Sequence, residues 1–166
     1  MVPRSVLSTL RADSAGADAC PVVSCVMAAV DHDSESGRRG AEQVVGWYLT
    51  GMGPFYGDFA AAHGFTDAVA AIRAANPRPS PGSIVWPSRA DDLLDQLAVF
   101  GEPDEVAAGF AAWDRLSDVV AVGVGPGSER SISALIEAGA PDRLSSRANT
   151  CPTAGSSQAL TAPDGC

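Results

Sequence analysis

Asp31, His32 and Asp33 stand in a row and form the tightest group of proton-exchanging side chains in the sequence. A carboxylate beside an imidazole can orient the ring and stabilise its charged form, which is the working pair of many general acid–base sites. The three residues close the apolar run from Val22 to Val30, the position where a parallel barrel strand delivers its functional groups. A second reading needs no chemistry. DHDSES also reads as a helix start, with Ser34 or Ser36 accepting from free N–H groups and Glu35 at the positive end of the dipole. Capping and solvation account for the cluster, and no third partner completes a triad.

Four other groups each have a chemical and a structural reading. His63 stands near a helix end, where an imidazolium can meet the dipole. Gly125, Pro126, Gly127 and Ser128 join a valine-rich run to a helix, and such a turn can hold a phosphate through backbone N–H groups. It lacks the longer glycine patterns of nucleotide sites, and turn chemistry explains it equally well. The spacings of Cys20 and Cys25, and of Cys151 and Cys166, do not resemble a paired metal knuckle, nor do Cys20 and His32 make a metal pair. Cys25 is expected inside a strand as a small hydrophobe, leaving Cys151 and Cys166 as the exposed thiols. Asp91, Asp92 and Asp95 read as a solvated helix face. Catalytic and cofactor-binding residues are therefore left unassigned, and no metal is expected.

The elements that would position these groups alternate. A short helix spans Val6 to Ala12, and the run Val22–Val30 reads as a parallel strand buried on both faces. In the next stretch Val44, Tyr48 and Met52 recur every four residues, as do Phe55, Phe59 and His63, which reads as two amphipathic helices each burying that stripe. Gly51, Gly53 and Pro54 punctuate their join, and Gly64 suits a left-handed helix end. Thr66 can cap a helix through TDAVAAIRAAN with Val69 and Ile72 inward, stopped by Pro77. Pro77 to Ser88 holds four prolines and reads as an irregular loop with Trp86 as a local plug. Ser88 caps RADDLLDQL, LAVFG is a brief second strand, and EPDEVAAGFAAW is a helix with Pro103 in its first turn and Val106, Phe110 and Trp113 buried. DVVAVGV is the third strand, and SISALIEAG is a last helix with Ser128 as cap and Ile132, Leu135 and Ile136 inward. Strand, helices, strand, helix, strand, helix is the order of a parallel α/β protein.

Composition narrows the function classes. A chain of 166 residues that is 46% hydrophobic supports one domain with a sizeable core. The net charge is −9, and the eleven cations are all scattered arginines, so no basic face is available to neutralise phosphates and nucleic acid is not an expected partner. No apolar run reaches the roughly 20 residues that cross a bilayer, and the first twenty residues lack a signal peptide's apolar centre, so a soluble cytoplasmic protein is expected. After Pro141 large apolar residues are few, and a tail over 141–166 is not expected to order.

Three segments in order, YLTGMGPFYGDFAAAHGF, DDLLDQLAVFGEPDEVAAGFAAW and VVAVGVGPG, resemble the C-terminal half of luciferase-like monooxygenases. The matching residues are Tyr48, Gly51, Met52, Gly53, Phe55, Tyr56, Gly64, Phe65, Gly101, Pro103 and Val106, within roughly Pro21 to Ala138. The resemblance implies a partial TIM barrel over residues 1–140 in which the three strands are the late ones, sixth to eighth, and the first five are missing. It implies a fragment or split part of a flavin- or deazaflavin-dependent oxidoreductase acting on paired donors with molecular oxygen. FMN or an 8-hydroxy-5-deazaflavin coenzyme and a small-molecule substrate would bind only in the complete enzyme, with a complementing N-terminal half or a homo-oligomer as partner. The competing expectation is a non-catalytic α/β module that self-associates or docks through an open strand edge.

Overall fold

The apolar run after Pro21 forms the central strand of a parallel three-stranded sheet. β1 (Val23–Val30) has β2 (Ala98–Gly101) on one side and β3 (Val119–Val124) on the other. The computed structural model describes residues 1–13, 21–124 and 129–139. Met27 to Val30 pair in register with Ala98 to Gly101, and Val23 to Ala28 with Val119 to Val124. The helices are α1 (Arg4–Asp13), α2 (Ser34–Thr50), α3 (Phe55–Ala60), α4 (Thr66–Ala75), α5 (Asp91–Leu97), α6 (Pro103–Trp113) and α7 (Glu129–Gly139).

Successive strand residues face opposite sides of a sheet, and each side of this one has its own core. Met27 and Ala98 pack with Ala41, Val45 and Leu49 of α2, Val69 and Ile72 of α4, and Leu93, Leu94 and Leu97 of α5. Val26, Ala28, Val30 and Val99 pack with Leu7 of α1, Val106, Phe110 and Trp113 of α6, and Leu135 of α7. The connection from β1 to β2 thus crosses one face, and that from β2 to β3 the other.

This is an α/β protein with a parallel sheet, as the alternation of elements implies. Its strand order departs from the barrel. Three successive barrel strands would be ordered β1-β2-β3 with helices outside only, whereas the order β2-β1-β3 with helices on both faces is doubly wound. The faces of the crossovers set this order. With right-handed connections, passing from β1 to β2 over one face and from β2 to β3 over the other carries β3 back to the far side of β1.

The aromatic stretch is helical but buries a different stripe from the one its aromatics mark. Ala41, Val45 and Leu49 face the core, while Met52 is 50% and Phe55 69% exposed and His63 is also exposed. Compact aliphatic side chains take the tight contact with the sheet, and the aromatics flank it, with Tyr48 edge-on to Tyr56 at 5.3 Å. Phe55, Phe59 and His63 form an outward ladder, with ring centroids 6.4 and 4.2 Å apart. Gly64 has φ +98, the left-handed position expected of it. The chain nonetheless continues through a kinked π turn, Ala61–Phe65, into α4, so Thr66 begins that helix and gives its hydroxyl to Ala61 O instead of capping. Ser88 likewise enters a short 3₁₀ turn, Ser88–Ala90, without a capping bond.

Among the described side chains of α7, only Leu135 is buried. Ile132 and Ile136 are 44% and 63% exposed, on the side of α7 turned from its contacts with α6 and β1. Cys25 lies in β1 as expected but is exposed, and Val23 beside it is 62% exposed, so β1 is not buried on both faces along its whole length. Residues Gly125 to Ser128, Cys20, and the tail with Cys151 and Cys166 lie outside the described residues.

The proline-rich loop is held by two side-chain amides that copy a β ladder. Gln43 Nε2 donates to Ile84 O at 2.8 Å while Ile84 N–H donates to Gln43 Oε1 at 2.9 Å. Asn76 Nδ2 donates to Val85 O and Val85 N–H to Asn76 Oδ1, both at 2.8 Å. Ile84 then fills the space above Gly46, where a Cβ would stand 2.4 Å from Ile84 Cγ2. Trp86 packs against the α2 side of the core and donates Nε1 to Asp91 at 3.2 Å, the plug that its position implies. Removing the buried Asn76 amide leaves two backbone groups of Val85 unpaired, so Asn76→Ala is expected to lower the unfolding free energy by about 2 kcal/mol in urea denaturation. A loss below about 0.5 kcal/mol would show that water replaces the clamp.

Candidate functional site

The C-terminal ends of β1 and β2 are joined by a hydrogen bond from Asp31 N–H to Gly101 O at 3.1 Å, and two long helices begin there. α2 approaches through Gly37, where a Cβ would lie 2.6 Å from the backbone nitrogen of Gly101. Gly101 itself has φ +124, a conformation that glycine adopts at little cost, and a Cβ on it would meet Glu105 Oε2 at 2.2 Å. Glycine at both positions lets helix and strand backbones touch, which brings the starts of α2 and α6 side by side.

Each helix start is satisfied by a carboxylate of the chain. Asp33, and not Ser34 or Ser36 that follow it, is the cap: it has extended φ/ψ and accepts from Ser36 N–H at 2.7 Å. Glu105 accepts from Glu102 N–H at 2.8 Å, closing the first turn of α6 after Pro103, and from Ser34 Oγ at 2.6 Å. That last bond ties the two helix starts together. The sequence signal for it is Glu105 three residues after Glu102, a capping-box spacing, but the partner on α2 is visible only in three dimensions.

His32 lies between the two aspartates expected to flank it. Its Nδ1 meets Asp31 Oδ1 in a short contact, and its Nε2 is 3.1 Å from Asp33 Oδ2. Both contacts hold together only when both ring nitrogens donate, and a ring in that state has no lone pair with which to take a proton. The ring is 82% exposed, so it can swing out of the pair. Three carboxyls here are held below their ordinary values. Asp31 is lowered first by the His32 backbone N–H and then by its ring, Asp33 by the Ser36 backbone N–H, and Glu105 by the Ser34 hydroxyl and the Glu102 N–H.

The rim is therefore acidic, with Asp31, Asp33, Glu35, Glu102, Asp104 and Glu105 set against His32 and Arg39. Arg38 points away from it, paired to Glu42 and Asp91 at 2.9 and 2.6 Å with its guanidinium 5.8 Å over Phe100. Asp91 is thus a bridging residue and not part of a merely solvated face, whereas Asp92 and Asp95 are exposed. Such a rim suits ligand donors, hydroxyl or amine or ring N–H, and repels phosphate. The phosphate-type turn Gly125–Ser128 lies outside the described residues. His63 sits with the aromatic ladder, donating Nδ1 to Phe59 O at 2.8 Å, beyond the 17 residues of α2, which span about 25 Å. It does not join the site. No group of three metal-ligating side chains is found among the described residues, and no helix there is long and apolar enough to cross a membrane.

Comparison with known proteins yields no match, whether to protein-family models, to curated proteins or to solved structures.

The capped start of α2 has a pH signature. Asp33 is held below its ordinary 3.8, so its contribution is fully present above that value and is lost as pH falls through the lowered one. Asp33→Ala is expected to lower Tm by a few degrees at pH 7. The gap to the wild type should close as the pH drops well below 3.8, and a gap constant down to that range would mean that the carboxylate is not the cap.

Proposed function

We propose that this chain is one part of a flavin- or deazaflavin-dependent oxidoreductase, supplying scaffold and one wall of a cofactor site and none of the groups that carry electrons. The observation that carries the reading is the joined mouth at the C-terminal ends of β1 and β2, where Asp31, His32, Ser34 and Glu105 are held by mutual hydrogen bonds. Open doubly wound sheets bind ligands outside the C-terminal ends of their strands, and an order that begins 2-1-3 houses FMN at that end between β1 and β3 in other proteins, beside the joined mouth. The likeness of the segments around Tyr48 to Phe65 and Gly101 to Val106 to luciferase-like monooxygenases points to the same cofactor class. A barrel would place its site at the same end of its strands, but β3 would then have to leave β1 and pair with β2. The reading does not depend on that step.

The acidic rim assigns this wall its part. It would receive hydroxyl and ring N–H donors of the cofactor, while the phosphate would be held elsewhere. When bound, the flavin or deazaflavin supplies the redox chemistry, and the chain's residues orient it and exclude water on one side. A small-molecule substrate and molecular oxygen as co-substrate are part of the same proposal.

Titrating FMN and an 8-hydroxy-5-deazaflavin separately into the purified chain tests it by fluorescence. The complete site would be needed for tight binding, and one wall alone is expected to hold one of them weakly, with saturable quenching at a Kd on the order of 0.1 mM that weakens several-fold in Asp31→Asn with His32→Gln. No saturable response to either at millimolar concentration overturns the reading and favours a non-catalytic α/β module. That second reading has its own support in the outer edge of β3, which pairs with no other strand among the described residues.

A further inference from the structure

The two edges of the sheet are unlike. β2 has four residues, Ala98 and Val99 are 5% and 6% exposed, and Arg38 lies over Phe100, so this edge is short and covered. β3 has six residues, VVAVGV, with no charge and no proline, the devices that normally guard an edge strand. It pairs with no strand but β1 among the described residues, and it presents open apolar side chains on both faces. Val119 is 52% exposed on one face and Val122 39% on the other. By register Val23 and Cys25 of β1 adjoin Val119 and Ala121, and all four are exposed. Ile132 and Ile136 extend apolar exposure onto α7, which packs against β1.

We propose that β3 is a homodimer interface, pairing antiparallel with the β3 of a second copy to make one six-stranded sheet. Charge selects the occupant. The chain carries −9, so a second copy meets least repulsion across an uncharged strip, and β3 with its neighbours Val23 and Cys25 is such a strip. A basic partner would instead be drawn to the acidic rim around Asp31 and Glu105, away from this edge. The strand sequence also fits a two-fold. With Ala121 on the axis, each Val120 opposes the second copy's Val122 on one face, and each Val119 its Gly123 on the other. A stable dimer buries roughly 800 Å² on each side. A six-residue edge supplies less, so the open side chains of Val119, Val122, Ile132 and Ile136 complete the contact. The two Cys25 residues would lie three strand spacings apart, roughly 14 Å, too far for a disulfide.

Sedimentation velocity on the full chain in reductant, from about 1 to 100 µM, tests this independently of any flavin. A monomer–dimer equilibrium in the micromolar range is expected, tightening as salt screens the shared negative charge. Val122→Lys and Val119→Lys are each expected to weaken it at least tenfold with an unchanged circular dichroism spectrum. Val85→Lys, at a 58% exposed position on the proline-rich loop, should leave it intact. A wild type that stays monomeric at 100 µM, an open-ended series of oligomers, or equal effects of Val122→Lys and Val85→Lys would overturn the proposal. If either β3 variant fails to fold, the other decides.

Discussion

The close approach of Gly37 to Gly101 is the contact on which the rest of the molecule depends. Any side chain on Gly37 would push α2 off the end of β2, and any on Gly101 would collide with Glu105. With both hydrogens in place, α2 lies flat across β1 and β2 and sends Ala41, Val45 and Leu49 into one core. The same contact puts Ser34 within reach of Glu105, so one packing constraint sets both the crossover and the candidate site.

A second constraint keeps that crossover in place. The connection from β1 to β2 contains a stretch with four prolines that cannot build a ladder of its own. Gln43 and Asn76 supply the missing partners from neighbouring helices, and each amide both donates and accepts, as a strand backbone would. On the opposite face a buried Ser24–Ser117 pair at 2.8 Å, with Ser117 also donating to Trp113 O, fastens the end of α6 beneath β1. Polar side chains thus close both sides of the sheet where backbone pairing runs out.

These constraints leave the sheet finished on one side and open on the other. Around β2 the chain has a covered edge, a joined mouth and capped helices. Beside β3 it has bare valines, and an exposed thiol on the adjoining part of β1. A cofactor wall and an association edge can coexist because they occupy different parts of the sheet, the first at the strand ends and the second along the strand.

The amino-acid sequence by itself determined the elements. Three apolar runs became the three strands to within a residue or two, the Val106–Phe110–Trp113 stripe is buried as its spacing requires, and Gly64 takes its left-handed turn, because propensity and periodicity are local properties. Tertiary structure alone decided the order of the strands, which depends on the face of the sheet that each crossover helix packs against. It also decided which of two helical stripes in α2 turns inward, since Val44–Tyr48–Met52 and Ala41–Val45–Leu49 have the same period and only the tightness of the sheet contact separates them. The site shows the same division. Asp31, His32 and Asp33 were legible as a cluster, but the bond from Ser34 to Glu105 spans 71 residues, and contacts at that separation come from packing rather than from any pattern along the chain.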